Sequence, residues 1–357
     1  MNMAEITVPT AETASVLFWM DLLIKGASHV MLAGPAGTGK TALVNGLLGK
    51  LNPENHLHTT VNMNFYTSAA VLLTSLEAPL QKRTGSTFGP VGGAKMIYFV
   101  DDLNLPEVDK YGTQSSIALL RQHVDYGHWY DQQKLSLKNV DDCHYIAALN
   151  PTAGSFAIDA RLQRHFCTFA VAMPSATSLM TIYETFLNGH LANGGFATSV
   201  QAIASTLIKG ALSVHKEVAE SFRKTAANFH YEFNIRHLAN IFQGLLVATP
   251  PNFPDPEKFV CLWLHESERV YGDRLVSYED LARFKQIMQS QAKKAFMQFN
   301  LSRFYISGGG VNPDPLVFCH FADGPIQGDE LQYEQGKSLD ELRATLEHGL
   351  TEYNETH

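Results

Sequence analysis

Short apolar runs alternate with helical patterns over the first 173 residues of the chain. Five of these runs have the length and composition of strands, and they cover residues 29–33, 58–62, 96–100, 145–149 and 166–171. The stretches between them place apolar residues on one side of a helix, as Ile117, Leu120 and Val124 do within residues 113–124. This alternation predicts an α/β unit over residues 1–173, with a five-stranded parallel sheet flanked by helices.

After residue 173 the strand signals stop, and a helical pattern continues to about residue 300. The predicted helices cover residues 176–190, 198–223, 236–247, 256–271 and 278–299. A Gly/Pro-rich segment then spans residues 301–328, and one last amphipathic helix carries Leu339, Leu342, Leu346 and Leu350. The pattern therefore predicts an α-helical unit over residues 174–300, followed by a linker and a further helix over residues 301–357.

The loop after the first predicted strand has a specific spacing of glycine, lysine and threonine. Residues 34–41 fit the pattern G-x-x-x-x-G-K-[ST] at every fixed position, and a helical pattern follows at once. The glycines let backbone N–H groups point at phosphate oxygens, and the start of the helix adds partial positive charge. We expect Lys40 to reach the outer phosphates of a nucleoside triphosphate, and Thr41 to hold Mg²⁺ through its hydroxyl. The predicted phosphate-binding residues are Gly34, Pro35, Ala36, Gly37, Thr38, Gly39, Lys40, Thr41 and Ala42.

Polar residues follow the third and fourth predicted strands. Asp101 and Asp102 come directly after residues 96–100, and Asn150 follows residues 145–149. Because the carboxyl ends of parallel strands meet at one edge of a sheet, we expect these side chains beside the phosphate loop. Asp101 would then complete the Mg²⁺ shell through water, and Asp102 would activate the attacking water. Asn150 would bind the γ-phosphate and that water, or would only shape the end of the strand.

The composition is that of a globular protein and argues against nucleic-acid and membrane partners. The chain has 357 residues, of which 45% are hydrophobic and 17% are charged, as expected of a globular protein. Its net charge of −8 and the lack of a Lys/Arg block argue against a nucleic-acid partner. The apolar run from Ala14 to Ile24 is too short for a membrane span and has no basic start, so we expect no membrane association and an intracellular protein.

Cysteines, histidines and aromatic residues suggest no further chemistry. The four cysteines are far apart in sequence and are expected to be buried thiols in a reducing compartment. The 15 histidines lack zinc-ligand spacing and are expected to be structural. Tyr126, Trp129 and Tyr130 are expected to form a packed aromatic corner and not a surface that stacks on nucleobases.

The glycine loop, the paired acids, Asn150 and the arginine pair before the fifth strand resemble, in this order, the AAA+ ATPases. Three longer strings are more specific: FVDDLNLPEVDKYGT at residues 99–113, LRQHVDYGHWYD at 120–131 and NPTAGSF at 150–156. They resemble the third AAA+ module of axonemal dynein heavy chains, and most of all the outer-arm β type. Residues 312–321 resemble the connection to the fourth module. The resemblance covers nearly the whole chain and implies a P-loop AAA+ fold with a helical lid.

The resemblance also implies roles for further residues. Val8, Pro9 and Thr10 would border the adenine of ATP or ADP, and Asn150 would be the first sensor residue. Arg236, in the string FNIRHLANIFQGL at residues 233–245, would be the second sensor residue, although a surface arginine on a helix is the alternative.

The arginine pair and Asp102 carry the remaining roles that the resemblance implies. Either Arg161 or Arg164 would face the nucleotide of the preceding module, unless both only form surface salt bridges. Asp102 stands where AAA+ proteins usually have glutamate, so its carboxylate is one methylene shorter, which favours slow hydrolysis.

The function implied is a regulatory, ATP-binding module of a minus-end-directed microtubule motor, with slow or ring-dependent ATPase activity. Its partners would be neighbouring AAA+ modules of the same ring and the dynein complex, in the cytoplasm and cytoskeleton of the axoneme of a cilium or flagellum. Microtubules would bind other parts of the full-length chain, because no sustained heptads are found here. A stand-alone AAA+ remodelling ATPase and a nucleotide-locked structural module are the alternatives.

Overall fold

The computed structural model describes residues 3, 6–152, 158–305, 316–322 and 332–356. The chain divides into two compact units: an α/β unit of residues 4–175, and a helical unit of residues 176–357 to which Met3 also belongs. Parts of the string at residues 150–156, of the Gly/Pro-rich segment at 301–328 and of the connection at 312–321 lie outside the described residues.

The α/β unit has strands and helices that alternate along the chain, as the hydrophobic pattern predicts. Its strands are β1 (His29–Ala33), β2 (His56–Asn62), β3 (Gln81–Lys82), β4 (Thr87–Gly89), β5 (Lys95–Asp101), β6 (His128–Tyr130), β7 (Leu137–Val140), β8 (Cys143–Leu149) and β9 (Phe166–Ala170). Its helices are α1 (Ala11–Lys25), α2 (Lys40–Leu48), α3 (Ala69–Glu77), α4 (Ser115–Tyr126) and α5 (Ala160–Gln163).

The main sheet has five strands in the order β2-β5-β8-β1-β9, and every neighbouring pair is parallel. Its central strands are apolar because both faces are covered. In β5, Met96, Tyr98 and Val100 join a buried cluster that includes side chains of α3 and α4. Ile97 and Phe99 join a cluster with side chains of α1 and α2 on the opposite face. The predicted parallel α/β fold is confirmed.

A second sheet, with the order β3-β4-β7-β6, was not predicted. Its strands have two to four residues and mixed polarity, so they show no clear alternation. The sheet packs on the unit through Trp129, which is fully buried and donates its indole N–H to Glu77 Oε1 at 2.9 Å. The predicted aromatic corner is wrong for its two tyrosines, because Tyr126 is 70% exposed and Tyr130 is 50% exposed.

The helical unit is built around one large apolar core. Its helices are α6 (Ala176–Asn193), α7 (Thr198–Ala202), α8 (Ala204–Ser221), α9 (Ile235–Leu245), α10 (Pro256–Tyr271), α11 (Tyr278–Ala295) and α12 (Leu339–Thr356), with a short pair of strands, β10 (Phe318–Cys319) and β11 (Glu334–Gln335). The predicted helix over 198–223 is divided at Ile203, and the helix predicted over 278–299 ends at Ala295. In α12 only Leu342 of the predicted leucines is buried.

The expectation of four buried cysteines is wrong in part. Cys261 and Cys319 are buried and Cys143 is partly buried, but Cys167 is exposed. Cys167 lies on β9, which is an edge strand of the main sheet and is covered less completely than the central strands. Among the described residues, no helix is long and apolar enough to span a membrane.

Candidate nucleotide site

The phosphate loop connects β1 to α2, and its backbone requires glycine at specific positions. Gly37 and Gly39 have φ angles of 82° and 83°, in the left-handed region that favours glycine. Gly34 donates its N–H to the carbonyl of Leu149 at 3.2 Å, and a Cβ atom there would lie 2.1 Å from the carbonyl oxygen of Val171. The loop is therefore held close to the backbone on both sides of β1.

Lys40 is buried at the start of α2 and lies against the phosphate loop. Its Nζ donates to the carbonyl oxygens of Gly34 and Pro35, each at 2.8 Å. The hydroxyl of Thr38 donates to the same Pro35 oxygen at 3.0 Å. The ammonium group is thus already at the loop where the motif predicts phosphate oxygens, and it would exchange carbonyl contacts for phosphate contacts.

Thr41 and Asp101 come together from distant parts of the sequence. The Thr41 hydroxyl donates to Asp101 Oδ2 at 2.8 Å, across the carboxyl edge of the sheet. A hydroxyl and a carboxylate are the ligands that Mg²⁺ prefers, and Mg²⁺ usually keeps waters and phosphate oxygens as its other ligands. No group of three His, Cys, Asp or Glu suited to a metal is found in the part of the chain that the structure describes. The donor set therefore fits a phosphate-bound Mg²⁺.

Asp102 lies beside Asp101 at the rim of the sheet and is exposed. Its φ angle is 54°, in the left-handed region that aspartate and asparagine adopt more readily than longer residues. The Asp102 N–H donates to Asp101 Oδ1 at 3.0 Å, so the backbone of one acid orients the side chain of the other. The structure therefore places both predicted acids at the predicted edge.

Asn150 is buried at the end of β8, beside β1 and β5. Its Oδ1 accepts hydrogen bonds from the Thr152 N–H at 3.1 Å and the Thr152 hydroxyl at 2.8 Å. Its backbone carbonyl accepts a hydrogen bond from Asn104 Nδ2 at 2.9 Å, and Asn104 is itself buried. With Oδ1 engaged, the side-chain NH₂ is the group that Asn150 presents as a donor.

Asn104 and Thr152 are site residues that the sequence reasoning missed. Asn104 follows the two acids by two residues, and Thr152 follows Asn150 by two. The proximity of polar side chains to a strand end was the available signal. The bond from Asn104 to the Asn150 carbonyl depends on the register between β5 and β8, whereas the bonds from Thr152 to Asn150 Oδ1 are local.

The predicted adenine segment runs past the start of α2. Thr7 donates its hydroxyl to the carbonyl of Ala42 at 3.3 Å, and Thr10 caps α1 by accepting from the Thr13 N–H. Val8 and Pro9 lie between these two contacts. The segment is therefore anchored to the helix that follows the phosphate loop.

The arginine pair lies on α5, which is a single helical turn before β9. Arg164 Nη2 donates to Asp125 Oδ1 at 3.0 Å, and His165 Nε2 lies 2.7 Å from the same oxygen. Desolvation raises the pKa of the Asp125 carboxyl, but the hydrogen bonds from Arg164 and His165 outweigh it and the pKa is lowered. Arg161 is exposed, and its side chain has no hydrogen bond or ion pair to any residue that the structure describes.

Arg236 belongs to the helical unit and lies in the first turn of α9. Its N–H donates to the side chain of Asn234, which caps the helix, and its side chain is exposed. A cation in the first turn opposes the helix dipole, so the stability of α9 does not explain an arginine there.

The opposite edge of the sheet carries a buried histidine, His144, and a partly buried histidine, His29. His29 begins β1 and His144 lies at the start of β8, and burial lowers the pKa of each to about 4. His29 Nδ1 accepts a hydrogen bond from the Tyr145 N–H at 3.1 Å. His144 Nε2 is buried without a hydrogen-bond partner among the described residues. With these lowered pKa values both imidazoles are neutral at pH 7.

Comparison with known proteins identifies the family. Residues 1–174 match the model for the P-loop containing dynein motor region, and residues 207–302 match the model for the AAA+ lid domain. The chain is an AAA+ module of the dynein motor-region family. Its fold is accordingly a P-loop AAA+ domain with a helical lid.

Three similar proteins are axonemal dynein chains. The chain is 46% identical over 355 residues to the alpha chain of the flagellar outer arm of Chlamydomonas reinhardtii, and 45% identical over 348 residues to human dynein axonemal heavy chain 17. It is 44% identical over 353 residues to the ciliary beta chain of Tripneustes gratilla. These alignments cover 98–99% of the chain but only 8% of each relative.

Proposed function

We propose that the chain binds ATP and Mg²⁺ at the carboxyl edge of its parallel sheet, as a regulatory AAA+ module of an axonemal dynein heavy chain. The observation that carries this proposal is the 2.8 Å contact between Thr41 and Asp101, beside a complete phosphate loop. In this site the loop N–H groups and Lys40 bind the phosphates, and Thr41 and Asp101 hold Mg²⁺. When bound, Mg²⁺ would neutralise part of the negative charge of the phosphates.

Asp102 and Asn150 are the residues proposed for hydrolysis. Asp102 accepts the proton of the attacking water, and the NH₂ group of Asn150 orients that water and the γ-phosphate. Val8, Pro9 and Thr10 border the adenine, because their segment is anchored at Ala42 beside the loop. Arg236 is proposed as the second sensor residue on the resemblance to AAA+ ATPases, and its place in the first turn of α9, where the helix dipole disfavours a cation, supports a role other than helix stability.

Hydrolysis is proposed to be slow in the isolated chain. In the ring arrangement Arg161 or Arg164 acts on the nucleotide of the preceding module, so this chain's own site needs a neighbour's arginine. Such a cation commonly contributes about 10³–10⁵ in the rate of phosphoryl transfer. Steady-state ATPase activity measured over a concentration series tests this: fast turnover that is linear in enzyme would show a site complete in one chain.

A binding experiment tests the site itself. Lys40→Ala should weaken binding of a fluorescent ATP analogue tenfold or more, because a charge-assisted contact contributes about 1.5–3 kcal/mol. Lys50→Ala is the matched control, because Lys50 is exposed beyond the end of α2. Equal affinity of the Lys40 variant and the parent would contradict the proposal.

The place of the module in a longer protein is also a proposal. The three long strings support the third position of the ring, and the outer-arm relatives support the axoneme of a cilium or flagellum as the location. Its partners are then the adjoining AAA+ modules and the dynein complex, while other parts of the heavy chain bind microtubules and move toward their minus ends. The sequence of the full-length transcript tests this, because two AAA+ modules should precede this one in the same reading frame.

A second candidate is a nucleotide-locked structural module. The short side chain and left-handed backbone of Asp102 favour it, because both restrict the reach of the proposed base. A single-turnover assay with bound ATP separates the two candidates, since a locked module would retain ATP without hydrolysing it.

A further inference from the structure

The turn that carries the two arginines is held at both ends by α4. At its start, Asp159 accepts the N–H of Arg161 at 3.0 Å, and Arg121 Nη1 on α4 donates to Asp159 Oδ2 at 3.2 Å. At its end, Arg164 is bound to Asp125 in the last turn of α4. Two acids therefore set the position of α5. Asp159 is bound by Arg121 of α4, and Asp125 belongs to α4 itself.

Asp125 is the centre of this charge cluster. Its carboxylate is 14% exposed and accepts from Arg164 and His165, while Arg121 Nε lies 3.8 Å from its second oxygen. The Arg164 side chain is 63% exposed, so Asp125 restrains it at the surface. Arg161, three residues earlier, has no such restraint among the described residues.

The two arginines consequently differ in how much positive charge each can offer to an anion in a neighbouring site. A guanidinium that is already paired with a carboxylate has part of its charge compensated, and it must lose that pair to bind a second anion. An unpaired guanidinium on a fixed turn keeps its full charge for the developing charge of a transferring phosphoryl group.

We infer that Asp125 is a positioning residue for this turn: it holds Arg164 and thereby presents Arg161 to the nucleotide of a neighbouring module. The inference rests on the proposed function, since it requires a ring in which this surface meets a neighbour. Arg164 and Asp125 then act together, through the position of Arg161.

The test uses the intact heavy chain and single-turnover ATP hydrolysis at the preceding module. Arg161→Ala should reduce that rate by about 10³-fold or more. Arg164→Ala and Asp125→Asn should each reduce it by roughly tenfold, because they release the turn without removing the acting charge. The Asp125→Asn/Arg164→Ala double variant should lose clearly less rate than the product of the two single losses, since the two variants share the Arg164–Asp125 contact. Asp125→Glu should restore most of the rate.

A merely structural role for Asp125 is distinguished by two further measurements. ATP affinity at this chain's own site should be unchanged in all these variants, and Asp141→Asn, which alters an exposed acid of the same unit, should leave the rate unchanged. If Asp125→Asn unfolds the chain, Asp125→Glu and Arg164→Ala still carry the test.

The outcomes distinguish a failure of the positioning role of Asp125 from a failure of the proposed ring. Parent rates in Asp125→Asn together with a slow Arg161→Ala would overturn the positioning role and leave the proposed ring intact. The positioning role would also be wrong if Arg164→Ala were as slow as Arg161→Ala, or if the double variant were additive. Parent rates in both arginine variants would contradict the proposed ring itself.

Discussion

The side chain of Asn104 donates to the backbone carbonyl of Asn150 at 2.9 Å, and both residues are buried. This bond joins the loop after the paired acids to the end of the neighbouring strand. The paired acids, of which Asp101 would hold Mg²⁺, and the amide that would meet the γ-phosphate are thus fixed to one another before any ligand binds.

Asn104→Ala should destabilise the chain, because it leaves the Asn150 carbonyl buried without this donor. The cost of such an unsatisfied group is about 1–3 kcal/mol, which chemical denaturation can measure. Asn240→Ala, at an exposed position on α9, is the control and should change the free energy of unfolding by less than about 0.5 kcal/mol. Equal effects of the two variants would show that the bond contributes nothing.

Gly34→Ala should prevent the phosphate loop from forming its present shape. The added methyl group would lie 2.1 Å from the Val171 carbonyl oxygen, which belongs to the backbone and cannot rotate away. We expect loss of ATP binding and a lower Tm. Gly189→Ala is the matched control, because nothing lies within 4 Å of a Cβ atom there and alanine favours helix α6 by about 1 kcal/mol. A Gly34 variant that binds ATP like the parent would rule out this packing constraint.

Asp102→Asn should retain ATP affinity and lose hydrolysis in the intact ring by about 10²–10⁴-fold, the usual contribution of a general base. Asparagine tolerates the φ angle of 54° at this position, so the backbone should not change. Asp102→Glu lengthens the arm toward the usual AAA+ glutamate but places a longer residue in the left-handed region, at a cost of about 1–2 kcal/mol. Quenched-flow hydrolysis with a Tm measurement checks both, and parent rates in Asp102→Asn would exclude Asp102 as the base.

The free energy of unfolding should fall as the pH drops from about 6.5 toward 4. Burial lowers the pKa of His29 and of His144 to about 4 in the folded chain, whereas the unfolded chain binds these protons near pH 6.5. In that range the unfolded state holds more protons, so acid favours unfolding by up to about 1.4 kcal/mol per pH unit for each histidine.

Urea denaturation between pH 7 and 4 measures this slope. His144→Phe should make it shallower, and Asn240→Ala, which removes no titratable group, should leave it unchanged. The explanation would be wrong if the two variants gave the same slope as the parent.

The main sheet and the positions of Lys40, Thr41, Asp101 and Asn150 could be predicted, because long apolar strands and a fixed loop spacing are local properties of the sequence. The second sheet could not, because β4 pairs with β7, about 50 residues away, through strands too short to show a pattern. The break at Ile203 was missed for a related reason: its apolar side chain continues the helical spacing, and only the backbone departs from it.

The two carbonyl oxygens that hold Lys40 compete with any incoming anion for its ammonium group. A ligand must offer the ammonium group more than the carbonyl contacts with Gly34 and Pro35, each at 2.8 Å, already provide. A polyphosphate can do so, because it engages the loop N–H groups at the same time. The loop should therefore favour a chain of phosphates, which meets both Lys40 and the loop N–H groups, over an anion that meets Lys40 alone.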